Sequence, residues 1–240
     1  MLVVLAMLEV EDLTIAIGFY VVFLLSVTAH EAAHALVALK LGDRTAYLGG
    51  QVTLDPMPHI RREPLGMVGL PIVTLFLVQW PLGFAHAPYD PTWAAWYPKR
   101  AAWMALAGPA ANLVLGAIAF AIMKTGLSMG AFEIVLDSSG TFPWAEIVRG
   151  TGSPVAHSLA IFSSLLLVQN LLLFIFNLFP VPPMDGSAAL PLIVPEGPMR
   201  KVRALFAEPW APLLGLIVAW NLFPEIFYPT FRSVMRLLVS

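Results

Sequence analysis

Apolar runs of the length a bilayer demands, about 20 residues, recur along the chain. Leu13 to Leu39 is one, and Glu31 is its only Asp, Glu, Lys or Arg. Ala101 to Met123 has no charged residue, and Val155 to Met184 has none either, although His157, Gln169, Asn170 and Asn177 interrupt it. Ala204 to Phe223, with Glu208 alone, is a weaker fourth, and the tail from Glu225 to Ser240, with Arg232 and Arg236 among apolar residues, reads as interfacial. Leu65 to Gly83 is as apolar as the spans, but Gly66, Gly69, Pro71, Pro81 and Gly83 disfavour an uninterrupted helix. It is expected to enter the membrane and return on the same side. Thr45 to Asp55 (T-A-Y-L-G-G-Q-V-T-L-D) has the β-branched and Gly content of a short membrane-associated β hairpin. The pattern predicts an all-α polytopic membrane protein of one domain, residues 1–240, with spans over 13–39, 101–123, 155–184 and 204–223 and a re-entrant segment over 65–83.

Composition agrees, since 59% hydrophobic and 12% charged residues lie outside the balance of a soluble domain. A net charge of −2 and the lack of a basic cluster interleaved with aromatics exclude a nucleic-acid partner. With no cysteine, disulfides and thiolate chemistry drop out, and any metal falls to His, Asp or Glu. The N-terminus has no Lys or Arg before Lys40 and carries Glu9, Glu11 and Asp12 where a signal peptide would be basic, so it is read as retained.

Candidate chemistry concentrates in the first span, where H-E-A-A-H occupies residues 30 to 34. Two His at i and i+4 on a helix aim both imidazoles at one metal, and Glu31 then lies beside the metal's water as a base. Three ionisable side chains within five residues of an otherwise apolar helix are costly and mark function. A catalytic zinc takes a third protein ligand and keeps one position open. Asp185 stands out for this role because it ends the third span in N-L-F-P-V-P-P-M-D-G, whose prolines break the helix at membrane depth.

H-E-A-A-H in the first span, A-G-P-A-A-N at 107 to 112 and P-P-M-D-G occur in the order seen in the site-2 protease family. T-L-D-P-M-P-H-I at 53 to 60 and G-F-A-H-A-P also resemble that family's compact bacterial and archaeal members. The resemblance implies regulated intramembrane proteolysis of transmembrane-helix substrates, with one Zn2+ per chain on His30, His34 and Asp185, Glu31 as base and Asn112 near the substrate. It also implies a multi-pass protein of a prokaryotic plasma membrane. Read from the residues alone, Gly108 and Asn112 pack helices closely and cap a bend. No PDZ-like or CBS-like segment is evident. The rival reading is a metal-ion transporter or channel that uses the same His and Glu as a transit site. His59, in a turn, either approaches the site through the re-entrant segment or faces solvent, whereas interfacial placement accounts for His86 and His157.

Re-entry of Leu65 to Gly83 reconciles charge with metal. It groups Lys40, Arg44, Arg61, Arg62, Lys99, Arg100, Arg200, Lys201 and Arg203 in the cytoplasm and leaves Glu133, Asp137 and Glu146 outside. It also brings the C-terminal ends of the first and third spans, with their ligands, to the same face. Because a helical substrate must unwind before attack, the Thr45 to Asp55 hairpin is expected to offer an edge for strand addition.

Overall fold

The computed structural model describes residues 10–136 and 143–240, so the reading of the N-terminus as retained and the placement of Asp137 lie outside the described residues. Helix α1 spans Val10–Lys40, followed by single-turn α2 (Thr45–Leu48) and α3 (Pro56–Arg62). A π-helical turn, Leu65–Gly69, runs into α4 (Leu70–Val78), and α5 (Pro91–Trp96) leads to the long α6 (Pro98–Ser128). Strands β1 (Phe132–Ile134) and β2 (Val148–Gly150) precede α7 (Pro154–Asn177). The chain closes with α8 (Asp185–Ala189), a 3-10 turn at Leu190–Leu192, α9 (Glu196–Phe206) and α10 (Ala211–Val239).

Four of these helices are long and apolar enough to cross a membrane: Ile15–Lys40, Pro98–Ser128, Pro154–Asn177 and Ala211–Val239. Their starts follow local chemistry. Ser153 caps α7 by accepting from the Ala156 amide, and Pro154 occupies the first turn, where a missing N–H costs nothing. Helices α1, α6 and α7 form the centre, with α6 packed on both others. On α1, the buried stripe Phe19, Val22, Phe23, Ser26, His30 and His34 follows the helical period, so the residues that hold the helix in place and the candidate ligands share one face. Small buried residues, among them Ala102, Ala105, Ala119 and Ala160, let the helices approach closely.

The segment over 65–83 returns as expected. It descends through the π turn and α4, reverses at Gln79 with φ of 56°, and comes back so that the Phe84 amide donates to the Gly66 carbonyl at 3.1 Å. A Cβ on Gly83 would strike the Gly66 carbonyl and come within 2.7 Å of Pro71 Cγ, so the two limbs cross where only glycine leaves room.

Three expectations need correction. Thr45 to Asp55 is not a hairpin, because the Asp43 carboxylate accepts from the Thr45 amide (2.9 Å) and hydroxyl (2.6 Å), which starts a helical turn anchored by buried Ala46. Burial pushes the Asp43 carboxyl up, but these bonds and one from the Asp90 amide outweigh it and hold the group below its ordinary value. The β pair lies instead between α6 and α7, antiparallel with Phe132 opposite Gly150, and Ser164 Oγ accepts from the Ile147 amide beside it. The fourth span is also displaced. Ala204 to Phe206 ends the separate helix α9, and the supposed interfacial tail continues α10 through Pro224 and Pro229. The tail stays helical because Phe227, Phe231, Met235 and Leu238 are buried along one face, with Trp144 packed at 4.9 Å from the Phe231 ring. Lys124 Nζ donates to the Leu237 and Leu238 carbonyls at the far end. Thirdly, α7 ends at Asn177, so the last residues of the expected third span, through Met184, form the unwound Pro-rich segment.

Candidate metal centre

Where α1 and α7 end and α6 begins, three side chains from distant parts of the chain meet. His30 and His34 lie one turn apart on α1, and their Nε2 atoms are 2.9 Å apart. Asp185 opens α8 directly after the unwound Leu178–Met184 segment, in which Phe179 and Met184 are buried and hold the chain in place. Its Oδ2 lies 3.0 Å from His30 Nε2 and 3.3 Å from His34 Nε2. Among the described residues these three form the group able to hold a metal ion, with donor atoms all within 4.8 Å of one another. The two histidines are 6% exposed and Glu31 is 4% exposed.

The far side of each imidazole is engaged. His34 Nδ1 lies 2.8 Å from the Met104 carbonyl, which can only accept, so Nδ1 carries a hydrogen and in the neutral ring Nε2 keeps its lone pair. His30 Nδ1 lies 2.6 Å from Asn112 Oδ1. In neutral rings with their protons on Nδ1, two nitrogen lone pairs and a carboxylate oxygen converge, at 2.9 to 3.3 Å from one another. A cation satisfies such a set, and two imidazoles with one carboxylate suit zinc. Gly108 on α6 lies directly beneath: a Cβ there would fall on both Nε2 atoms and within 2.6 Å of His30 Cε1. Glu31 Oε2 is buried with no hydrogen-bond partner, a costly state for a carboxylate unless it has a proton or a water to receive.

The remaining sequence candidates add no further ligand. Asn112 is fully buried, with its amide nitrogen on Asn170 Oδ1 at 2.9 Å and its oxygen on His30 Nδ1 at 2.6 Å, so its amide already serves two protein partners. His59 is buried under its own loop with Nε2 3.1 Å from the Thr53 carbonyl. His86 pairs with Glu63 at 3.4 Å. Neither joins the cluster, and the β pair sits at the opposite end of α6, about 30 Å away by helical rise. The roles of Gly108, Asn170 and Met104 were not anticipated. Asn170 carried a signal, as a polar residue inside an apolar span; the Met104 carbonyl carried none.

A bundle of apolar helices that buries a two-histidine, one-aspartate cluster beside an unpaired glutamate defines a membrane metalloprotease. The description "Peptidase family M50" matches residues 18–218, and the chain belongs to that family. The zinc metalloprotease YwhC of Bacillus subtilis, so named, is 30% identical over 234 residues, which cover 87% of this chain and 92% of the relative. Rip2 of Mycolicibacterium smegmatis, also carrying a zinc metalloprotease name, is 32% identical over 200 residues, 82% of this chain and 64% of Rip2. Rip2 of Mycobacterium tuberculosis is 30% identical over 176 residues, 72% of this chain and 56% of Rip2. No solved structure matches the chain. Membership of a peptidase family displaces the transporter reading.

Proposed function

We propose that this protein is a zinc-dependent endopeptidase that hydrolyses peptide bonds within the membrane-spanning segments of protein substrates. The observation that carries this reading is the depth of the cluster. His30 lies ten residues, about 15 Å of helix, before the end of α1 at Lys40, inside a span rather than beyond it. In this reading His30, His34 and Asp185 hold one Zn2+ and residues 1–240 act as a single protease domain. Zinc at such a site supplies Lewis acidity and brings water into reach of deprotonation near neutral pH. Glu31 takes the water proton on its carboxylate and delivers it to the leaving amine nitrogen. Asn112 orients His30, because its amide is already engaged by Asn170.

The test is cleavage of a purified single-span substrate by the full chain in liposomes, with the cut mapped by mass spectrometry. The cut should fall inside the apolar stretch, cease with a strong chelator and return with zinc. Gly or Pro near the cut should speed it, since these lower the cost of unwinding by about 1 and about 3 kcal/mol. Cuts confined to extramembrane residues, or full activity after verified metal removal, would refute the reading.

The same reading places the active site toward the cytoplasm of a prokaryotic plasma membrane. Since the segment over 65–83 returns to its starting level, Lys40, Arg61, Lys99 and Arg200 fall on one side and Glu133 on the other. In intact cells an impermeant thiol reagent should label Glu133→Cys and spare Tyr89→Cys until the membrane is opened. Labelling of position 89 from outside would reverse the orientation.

A further inference from the structure

Ser26, Asn112 and Asn170 stand on α1, α6 and α7 with 0% exposure, and they are joined into one line of hydrogen bonds that ends on His30. The line has a direction that its backbone ends impose. Asn170 presents one terminal atom to the Leu166 carbonyl at 2.9 Å and to Ser26 Oγ at 2.9 Å. A carbonyl can only accept, so that atom is the amide nitrogen. The Ser26 hydroxyl spends its hydrogen on the Val22 carbonyl at 2.7 Å, which leaves Oγ as an acceptor as well. Asn170 therefore turns its oxygen toward Asn112, whose facing atom at 2.9 Å must donate. The Ser26 carbonyl, 3.4 Å from the same nitrogen, reinforces that choice. Asn112 is thus left with its oxygen against His30 Nδ1 at 2.6 Å, and only an Nδ1–H can meet it.

We propose that Asn170, supported by Ser26, is a positioning residue that fixes the Asn112 amide and through it the Nδ1–H tautomer of His30, so that Nε2 always faces the metal with its lone pair. His34 obtains the same result from the Met104 carbonyl, whose polarity cannot change. His30 depends on a side-chain amide that could rotate by half a turn, and the line through Asn170 prevents this. Reversal would set two oxygens against each other at Asn170 and two hydrogens against each other at His30 inside a dry contact among three helices.

This inference rests on His30 being a zinc ligand. Its test uses the full chain in detergent, with zinc affinity measured by chelator competition and the metal-free His30 tautomer read by 15N NMR of labelled histidine. Asn170→Leu should weaken zinc binding about tenfold, as loss of a partner that orients a ligand does, and should show a mixed tautomer. Asn170→Asp keeps an oxygen toward Asn112 and, with a proton on its other oxygen to meet the Leu166 carbonyl, should bind zinc within a few-fold of the unaltered protein with Nδ1–H retained. If Asn170→Leu fails to fold, Asn170→Ala removes the same polar atoms with less bulk and carries the same expectation. Unchanged affinity and tautomer in the Leu or Ala variant would overturn the proposal, and so would weakened binding with the Nδ1–H tautomer of His30 fully retained, which would mean packing alone. Undiminished zinc binding by His30→Ala would instead overturn the ligand assignment beneath it.

Discussion

Glu31→Gln is expected to abolish peptide hydrolysis while the protein keeps its zinc. Glutamine has the size and shape of glutamate, so the α1 stripe that holds His30 and His34 against α6 should be undisturbed. What disappears is an oxygen basic enough to take a proton at neutral pH, and removal of a positioned base costs about 100- to 10,000-fold in rate. The effect should lie at the upper end, because Oε2 is buried with no hydrogen-bond partner and little else stands ready to replace it. Turnover and zinc content measured on the same preparation decide the matter. Cleavage within a few-fold of the unaltered protein would remove Glu31 from the proton path, and loss of zinc would mean that it acts on the metal instead.

Gly108→Ala should weaken zinc binding severely without unfolding the protein. At most helical positions this change helps, since alanine favours helix by about 1 kcal/mol. At 108 the added methyl would lie on the Nε2 atoms of both histidines, and the imidazoles cannot retreat without losing Met104 and Asn112 on their far sides. The expected outcome is a zinc affinity reduced about 100-fold, the upper end for a disturbed ligand geometry, in a metal-free protein that still folds, the helix preference of alanine offsetting part of the cost of the displaced imidazoles. Gly116→Ala, two turns along the same helix, is the control. Its Cβ would meet Asn170 Cβ at 3.8 Å, an ordinary contact, and zinc binding should be untouched. Zinc binding by Gly108→Ala equal to that of Gly116→Ala would mean that the ligand atoms do not converge there.

The legible parts of this molecule are those governed by length, period and helix-breaking residues. Three of the four spans, and the return of Leu65 to Gly83, follow from apolar runs and their Gly and Pro content. The grouping of His30, His34 and Asp185 follows from helical spacing and a Pro-rich break. What escaped depends on contacts between distant segments. Val52 and Thr53 gave the stretch its β-branched character, yet an Asp43 oxygen that accepts from the Thr45 amide and hydroxyl turns the chain into a helical turn there, and such a local side-chain bond outweighs composition over so short a stretch. The tail from Glu225 read as interfacial because of Arg232 and Arg236, but a buried apolar face from Phe227 to Leu238 and the need to satisfy backbone groups away from water keep α10 continuous through Pro224 and Pro229. The family resemblance put Asn112 near the substrate, and residue types alone say nothing of which way its amide is committed. Asn170 supplies that information, 58 positions away.

The most direct measurement is X-ray absorption at the zinc edge on the purified full chain, alongside Asp185→Asn and an Asp55→Asn control whose site merely caps α3. The proposed site requires one zinc per chain with two imidazole nitrogens and at least one carboxylate oxygen at about 2.0–2.2 Å. That signature should persist in Asp55→Asn and lose both its carboxylate contribution and most of its bound zinc in Asp185→Asn. An identical spectrum and zinc content in all three proteins, or zinc bound without imidazole nitrogen, would contradict it.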